Sequence, residues 1–557
     1  MTEVFQKYFS PENLMLAWER VTRSGRKDTK DYFGIEIYSS NLGRNISRLS
    51  DIVIGGQFKP HRPFKYYEPK ASKTHRTKSV LSIDDALVYQ AIANVVATNS
   101  YKKLSQNNSF VFGSVLHPEV EQGTALLNSP DAEFYFFEYY LPLYNKFINS
   151  VNLEIGNTNV RYKLETDITG FFDSIPHSKL LMALHEFGVE PEILDLLQDC
   201  LNIYSGTRDS VTPGIGIPQG IDASFFFANL FLCELDYQIS QKGYTYYRYM
   251  DDIRIYDETE EKIIEVLVFI DSYLKGKALS LNTKKTSIEE IGDDREAEKL
   301  LQLAGYGDSD LDENGDKSQL LSLVGQDGGF DIQIDDRYCP VIAGEELVKA
   351  CRKEIADVES ILKAKFQNPD TQPFDRRALA GDESFKKEIV HIAYRWRNAN
   401  SILKTVDAPV LNPEMIPIWL ACIEIFFWKA NHFCWNLNQY GNNRVIRDRL
   451  LELIPRFTDF EWVRYQILSN MAFAQEFNSS ELRDFFRKAK EETSPLVRLG
   501  YYMALLKHVD SRHQLFSSLR QAIKDDREPY VRTRLFPVLS GFDTDKKIDE
   551  LKFWFGL

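Results

Sequence analysis

The stretch Tyr249-Met250-Asp251-Asp252 places two carboxylates side by side between two short runs of residues that favour strands. Tyr244-Thr245-Tyr246-Tyr247-Arg248 precedes it, and Ile253-Arg254-Ile255-Tyr256 follows it. Aromatic and β-branched residues in these runs predict a β-hairpin with the two acids at its tip. Adjacent carboxylates repel each other, and a bound cation such as Mg²⁺, which prefers oxygen ligands, relieves that repulsion. Taken alone, however, an Asp-Asp pair in a turn is most often an ordinary solvated turn.

Further acids and loops that suit the same chemistry stand on either side of this hairpin. Asp167 ends the strand-like run Tyr162-Lys163-Leu164-Glu165-Thr166, and a Gly170-Phe171-Phe172 turn leads from it into a helix. The Gly- and Pro-rich loop Gly216-Ile217-Pro218-Gln219-Gly220 enters an apolar helix before the hairpin. Beyond the hairpin, Leu279-Ser280-Leu281 leads to the basic pair Lys284-Lys285. The acids therefore belong to an ordered series of segments.

Taken in chain order, the segments resemble motifs A, B, C and D of reverse transcriptases. The matching residues are Asp167 with Phe171-Phe172-Asp173, then Gly216 to Gly220, then Tyr249 to Asp252, then Leu279-x-Leu281 with Lys285-Thr286. Upstream, the basic stretch from Lys59 to Lys78 contains Pro69-Lys70 and Arg76, which resemble the fingers motif; its alternative interpretation is a solvated charged loop. Asp84 is a candidate N-cap for the helix that follows. The resemblance covers about residues 30 to 290.

The resemblance implies an RNA-directed DNA polymerase that transfers nucleotides with two Mg²⁺ ions about 4 Å apart. Asp167 and Asp251 are the implied bridging ligands, the backbone carbonyl of Ile168 completes the site, and Asp252 is the implied fourth catalytic ligand, which binds the metal less directly. Lys285 matches the lysine that protonates departing pyrophosphate, while a solvated strand-end lysine is its alternative interpretation.

The resemblance also assigns nucleotide-binding roles. Phe172 matches the steric gate, whose ring would clash with a ribose 2′-hydroxyl and so favour dNTPs over rNTPs; ordinary core packing is the alternative. The implied nucleotide-binding residues are Lys70 and Arg76 at the triphosphate, Phe172, and Gln219 and Gly220 beside the nucleotide.

Composition bounds the other possibilities. The chain of 557 residues is too long for one core, so we expect two or more domains. A formal net charge of −14 argues against a protein that coats duplex DNA. The six cysteines form no Cys-x-x-Cys pair, which argues against zinc and fits a reducing cytoplasm. We expect no membrane span, because no apolar run is long enough.

The second half of the chain predicts a different architecture. Residues 301–338 are acidic and contain glycines, which is typical of a linker. An EF-hand loop that starts at Asp308 is excluded, because it needs glycine at its sixth position and an acid at its twelfth, where this chain has Glu313 and Gln319. Residues 339–557 read as helical, and Val463-Arg464, Val497-Arg498 and Val531-Arg532 recur every 34 residues. This pattern resembles HEAT-type repeats with a shorter period. We therefore predict an α+β fingers-palm domain over 1–300 and an all-α HEAT-like domain over 339–557.

This layout resembles the abortive-infection class of bacterial reverse transcriptases, which act in phage defence. The resemblance implies template-independent DNA synthesis primed by a tyrosine of the chain, a single-stranded DNA product attached to that tyrosine, and a homo-oligomer, with a phage or host protein as the expected trigger. The candidate primers are Tyr8, Tyr32, Tyr38, Tyr66 and Tyr67.

Two alternatives stay open. The first is an RNA-templated reverse transcriptase that copies a bound RNA. Against it, Ile221-Asp222-Ala223-Ser224 replaces the usual small residues and prolines, and no thumb follows Lys285. The second is a non-catalytic helical-repeat binding protein with a vestigial palm.

Overall fold

A computed structural model describes residues 2–25, 29, 31–292, 345–366, 383–509 and 512–539. The predicted linker over 301–338 lies outside these residues. The chain divides into two compact units, the first comprising Met1–Lys65 and Thr77–Leu303, and the second Tyr66–Arg76 and Ala304–Leu557. The predicted boundaries at 300 and 339 remain predictions.

Helices make up most of the first unit. Before the sheet they are α1 (Thr2–Phe9), α2 (Pro11–Arg23), α3 (Tyr32–Ser39), α4 (Leu42–Ile54), α5 (Ile83–Ser105) and α6 (Tyr140–Gly156). The strands β1 (Phe64–Pro69) and β2 (His75–Val80) pair with each other between α4 and α5. The cap of α5 is Ser82, whose hydroxyl accepts the Asp85 N–H, and not Asp84 as expected. Asp84 instead accepts hydrogen bonds from Tyr38 and Arg48.

A four-stranded antiparallel sheet carries the predicted acids. Its strands are β3 (Tyr162–Asp167), β4 (Thr245–Tyr249), β5 (Asp252–Asp257) and β6 (Ser287–Glu290), in the order β4-β5-β3-β6. Leu164, Ile253 and Ile255 are fully buried on one face. Because side chains alternate along a strand, Asp167 and Asp252 share the opposite face.

The helices between and after these strands complete the first unit. They are α7 (Phe171–Ser174), α8 (His177–Glu186), α9 (Pro191–Tyr204), α10 (Asp222–Gln241) and α11 (Glu260–Gly276). In α11, Ile263, Val266, Ile270 and Leu274 are buried at helical spacing, and this helix contacts β3 and β5. The acid-bearing sheet is thus supported from its apolar face.

The described part of the second unit between Glu345 and Leu539 contains helices joined by loops and short 3₁₀ turns. The helices are α12 (Glu345–Phe366), α13 (Glu383–Val406), α14 (Met415–Ile425), α15 (Ala430–Asn438), α16 (Arg444–Leu453), α17 (Glu461–Ala474), α18 (Ser479–Glu491), α19 (Pro495–His508), α20 (Phe516–Lys524) and α21 (Pro529–Leu539). No helix among the described residues is long and apolar enough to cross a membrane.

The 34-residue period of the sequence is visible in this unit. Helices α17, α19 and α21 begin at Glu461, Pro495 and Pro529, and Val463, Val497 and Val531 are all fully buried. Arg464 pairs with Glu492 at 2.6 Å, and Arg498 pairs with Asp526 at 2.8 Å. Each arginine therefore reaches an acid 28 residues later. The assignment to the HEAT type stays a prediction.

Candidate active site

The register between β3 and β5 brings two of the predicted acids together. Asp167, the last residue of β3, lies directly opposite Asp252, the first residue of β5. Tyr249 at the end of β4 is also paired with Asp252, so Met250 and Asp251 form the turn between the strands. Met250 has φ of +55°, a left-handed conformation that non-glycine residues seldom adopt. The hairpin predicted from the sequence is present, with the two acids at its tip.

Lys285 lies against Asp167. The chain after Leu279 runs beside the end of β3, where Thr169 N–H donates to Ser280 O at 2.9 Å and Asn282 N–H donates to Asp167 O at 2.7 Å. This pairing brings the Lys285 ammonium within 2.5 Å of Asp167 Oδ2. Burial disfavours the charged form of Lys285, but the hydrogen bond and charge of Asp167 outweigh it, and the pKa of Lys285 is raised. The negative charges of Asp251 and Asp252 act in the same direction.

Arg254 was not singled out from the sequence, yet it lies among the acids. Its guanidinium donates to both oxygens of Asp252, at 3.1 and 3.2 Å, and to Glu165 Oε1 at 3.0 Å. Burial opposes its charge, but these two carboxylates raise the pKa of Arg254 above its ordinary value. Arg254 could have been identified from the sequence, because it stands two residues after Asp252 and therefore shares its face of the strand.

The donor atoms at the hairpin tip fit a divalent metal ion. Asp167 Oδ1 is buried and has no hydrogen-bond partner in the part of the chain that the structure describes. A buried carboxylate oxygen without a partner is costly, and it is the type of ligand that Mg²⁺ prefers. The described residues nevertheless contain no group of three His, Cys, Asp or Glu side chains gathered closely enough to bind a metal. Asp167 Oδ2 is bonded to Lys285 and both oxygens of Asp252 are bonded to Arg254, so the oxygen of this pair that suits a metal is Asp167 Oδ1.

Motifs A and B meet through backbone hydrogen bonds. Ile217 N–H donates to Phe172 O, and Gly216 N–H donates to Ile175 O, both at 2.8 Å. The Phe172 ring is buried and packs on Phe225 of α10 with centroids 4.6 Å apart. Phe172 lies five residues after Asp167, which agrees with a steric gate. Its burial agrees equally with core packing, so the steric-gate role of Phe172 stays a prediction.

A buried histidine supports the same loop. His177 Nε2 lies 2.6 Å from Gly216 O, and Gly214 N–H donates to His177 Nδ1 at 3.2 Å. Asn202 Oδ1 also lies 3.3 Å from Nδ1. The contacts with Gly216 and Gly214 fit the neutral imidazole with its proton on Nε2, and burial lowers the pKa of His177. His177 was not identified as a candidate site residue from the sequence.

Gln219 and Gly220 contact the chain itself. Ser79 N–H donates to Gln219 O at 3.1 Å, which links motif B to the strand after the basic stretch. Gly220 has φ of +103°, and a Cβ at this position would collide with Thr29. Thr29 also donates its hydroxyl to Gly220 O. The close approach that Gly220 permits is therefore to Thr29, and its proposed approach to a nucleotide remains a prediction.

Lys70 and Arg76 belong to the second unit. Lys70 N–H donates to Thr74 O at 2.8 Å and closes the tip of the β1–β2 hairpin. Within that unit, Tyr67 N–H donates to Glu461 Oε1 at 3.1 Å, and the His75 ring lies 5.7 Å from that of Phe460. Triphosphate binding by Lys70 and Arg76 stays a prediction, as does metal ligation by the carbonyl of Ile168.

The candidate priming tyrosines differ in access. Tyr8 is fully buried and donates its hydroxyl to Glu190 at 2.6 Å, while Tyr38 is buried and donates to Asp84 at 3.0 Å. Burial raises the pKa of both phenols, and the neighbouring carboxylates add to the effect. Tyr66 is buried, Tyr67 is half-buried, and the side chain of Tyr32 lies outside the described part.

Comparison with curated proteins agrees with the motif assignment. Residues 68–306 match the family model for reverse transcriptase (RNA-dependent DNA polymerase). The Retron Ec86 reverse transcriptase of Escherichia coli is 28% identical over 145 residues, which are 25% of this chain and 41% of that protein. The chain thus matches about two fifths of the length of this relative.

Solved telomerase structures are also similar, but weakly. One from Candida albicans with a fragment of telomeric RNA has a TM-score of 0.30 and 10% identity, over 76% of this chain and 64% of that one. One from Candida tropicalis has a TM-score of 0.28 and 11% identity, over 83% and 68%. From the family match and the curated relative, residues 68–306 are similar to reverse transcriptases, the family of RNA-dependent DNA polymerases.

Proposed function

We propose that this chain is a phage-defence DNA polymerase of the reverse-transcriptase type, which adds dNTPs to a 3′ end. The observation that carries the proposal is the pairing of Asp167 with Asp252 at the hairpin tip, with Lys285 on Asp167. Three carboxylates and one ammonium at a strand end suit phosphoryl transfer, in which negative charge moves from an attacking hydroxyl to a leaving pyrophosphate.

Each side chain has a proposed part in the reaction. Asp167, Asp251 and the carbonyl of Ile168 would hold two Mg²⁺ ions, which supply activation of the attacking hydroxyl and stabilisation of the leaving group. Arg254 holds Asp252 at the tip through two hydrogen bonds. Lys285 donates a proton to the departing pyrophosphate. The ring of Phe172 excludes the ribose 2′-hydroxyl.

We further propose that synthesis starts from a tyrosine and needs no template. Support comes from the departure at Ile221-Asp222-Ala223-Ser224 and from the resemblance to abortive-infection enzymes. Tyr8 and Tyr38 are poor primers in the described conformation because their hydroxyls are enclosed and hydrogen-bonded to carboxylates. Tyr67 is more accessible. The expected partners are dNTPs, the attached single-stranded DNA, a second copy of the chain and a phage or host trigger.

The comparisons favour a second candidate, an enzyme that copies a bound RNA. The matching family model describes RNA-dependent DNA polymerases, and the curated relative is a retron reverse transcriptase. This candidate uses the same domain and the same acids as the template-independent polymerase, and differs from it only in the source of the primer and the template. A defined RNA that co-purifies with the chain, and a product complementary to it, would favour this candidate.

The test is nucleotide incorporation by the purified chain. Each labelled dNTP is supplied separately with Mg²⁺, and the product is separated on a denaturing gel before and after protease treatment. We expect a slowly migrating species that protease collapses, and no label with Asp251→Asn, which retains the side-chain shape. Incorporation only after addition of RNA would support the second candidate. Equal behaviour of the wild type and Asp251→Asn in every arm would overturn the polymerase proposal and favour a binding protein with a vestigial palm.

A further inference from the structure

Arg248, the residue before Tyr249, is fully buried, and its guanidinium donates four hydrogen bonds. Its Nε and Nη2 donate to the two oxygens of Asp236 at 2.7 and 2.5 Å, and Nη2 also donates to Asn229 Oδ1 at 2.9 Å. Its Nη1 donates to the backbone oxygen of Met250 at 2.8 Å. Asp236 and Asn229 both lie on α10. One guanidinium therefore ties this helix to the turn that carries Asp251.

The turn is also enclosed from outside the hairpin. The segment from Phe110 to Phe112 pairs with Arg248, whose N–H donates to Phe110 O at 2.8 Å and whose carbonyl accepts the Phe112 N–H at 2.9 Å. Gly113 follows, and a Cβ there would lie 2.9 Å from Met250 Cγ. Ser114 then contacts Met250 Sδ at 3.1 Å. The left-handed backbone of Met250 is thus held from two sides.

The chemistry of the side chain matters at this position. A buried ion pair contributes little net stability compared with well-packed apolar residues, so stability alone does not call for Arg248 and Asp236. The planar fork of arginine can bond both oxygens of one carboxylate and still direct its other nitrogen elsewhere. A lysine has one nitrogen and cannot make these contacts together. The feature that sets Arg248 apart is its bond to Met250 O, next to Asp251.

We propose that Arg248 is a positioning residue, which acts through the Met250 carbonyl to hold Asp251 in the orientation needed for metal binding and nucleotide transfer. The inference rests on the proposed polymerase function, but its effect on metal binding can be measured without synthesis. Asp236 and Asn229 orient the guanidinium. Met250 transmits its position to the acid.

The test compares Arg248→Lys with Arg498→Lys in the full chain. Arg498 is a matched control, because it also forms a buried pair with both oxygens of an aspartate, Asp526, but lies in the helical unit. We measure the thermal midpoint, kcat and KM for dNTPs, and Mn²⁺ binding by calorimetry. A displacement of a reacting group by about 1 Å costs about 100-fold in rate. We therefore expect Arg248→Lys to lower kcat by about 10- to 100-fold, with KM changed less than about threefold, and to weaken Mn²⁺ binding.

Each outcome decides the proposal. Arg498→Lys should lower the thermal midpoint by a similar amount and leave kcat and Mn²⁺ binding unchanged. If Arg248→Lys also leaves kcat and Mn²⁺ binding unchanged, Arg248 is merely structural. If Arg248→Lys does not fold, Asp236→Asn, which keeps one acceptor and loses the charge, is measured instead with the same expectation. If the wild type makes no product, the polymerase proposal has failed, while Mn²⁺ binding by the variants still tests the positioning role.

Discussion

At the scale of single residues, Asp167 is the point where the proposed chemistry can be tested most directly. One of its oxygens lies 2.5 Å from the Lys285 ammonium, and the other is buried without a hydrogen-bond partner among the described residues. The two oxygens therefore face different surroundings. A single lysine offsets much of the charge that would otherwise repel Asp251 and Asp252.

Lys285→Ala should reduce incorporation strongly and stability little. The side chain of Lys285 is 61% exposed, and exposed ion pairs contribute about 0–1 kcal/mol. General acid catalysis, in contrast, typically contributes about 100- to 10,000-fold in rate. We expect kcat to fall within that range while the thermal midpoint stays within about 2 °C, consistent with a change of less than about 1 kcal/mol in a large chain.

The control is the neighbouring Lys284→Ala, which removes the same charge one residue away. It should change neither kcat nor the thermal midpoint. An equal loss of kcat in both variants would contradict the assigned role of Lys285 and point to a general charge effect.

Phe172→Val should relax the choice of sugar. Removing the ring leaves room for a 2′-hydroxyl, so we expect the ratio of kcat/KM for rNTPs to that for dNTPs to rise about tenfold or more, equivalent to about 1.4 kcal/mol. Single-nucleotide incorporation assays measure this ratio. Phe171→Val is the matched control, because its ring is also buried but belongs to the preceding residue. A ratio that rises equally in both variants would assign Phe172 to core packing.

At the scale of elements, His177 makes the loop from Gly214 to Gly216 sensitive to pH. The pKa of His177 in the folded chain is lowered by burial, so the unfolded chain binds a proton more readily. The stabilisation by neutral His177 is therefore fully present above the unfolded pKa, about 6.5, and is lost as the pH falls below it.

His177→Gln should reveal this dependence in thermal unfolding. At pH 8 we expect the variant to be less stable by about 1–3 kcal/mol, because Gly216 O loses its buried partner. The gap between variant and wild type should narrow from pH 6.5 to pH 5.5. His185→Gln, at an exposed position on the same helix, is the control and should change the stability at pH 8 by less than about 0.5 kcal/mol. A constant gap for His177→Gln would refute the neutral-imidazole assignment.

The elements were predictable where local pattern determines them. The order of motifs and the strand-forming residues on both sides of Asp251 anticipated the β4–β5 hairpin. The start of α5 was predicted wrongly, because both Ser82 and Asp84 are good caps by residue type. Asp84 is engaged by Arg48 and Tyr38, which are distant in sequence. The cap preference of each residue type alone does not show that these distant residues bind Asp84 and leave Ser82 as the cap.

Some residues of the candidate site could likewise be predicted from local pattern, and others could not. The acids and Lys285 followed from type and order, and Arg254 could have been added from the two-residue period of a strand. Thr29 against Gly220 and Gly113 against Met250 could not, because each contact joins residues far apart in the chain. Such approaches depend on how the elements pack, which a single sequence does not specify.

At the scale of the whole molecule, the grouping of Tyr66–Arg76 with the second unit has a measurable consequence. Limited proteolysis within the predicted linker over 301–338 should cut the chain between the two halves. We expect the fragments to co-elute in size-exclusion chromatography, because the first carries Tyr67, whose N–H donates to Glu461.

Glu461→Ala should weaken this association, because it removes the acceptor of the Tyr67 N–H. Glu424→Ala, which removes an ion pair with Arg456, is the control and should leave the fragments together. Separate elution of the wild-type fragments would show that Tyr66–Arg76 does not bind the helical unit after cleavage.

The recurring arginine pairs of the helical unit also determine how it would respond to mechanical tension. Arg464 holds Glu492, Arg498 holds Asp526 and also the Glu492 carbonyl, and Arg532 donates to the Asp526 carbonyl. A pulling force on the C-terminal end would therefore act on these arginine contacts one after another. Each rupture would release one 34-residue segment and lengthen the chain by roughly 110 to 120 Å. Optical tweezers would record a force–extension curve with unfolding steps of equal length.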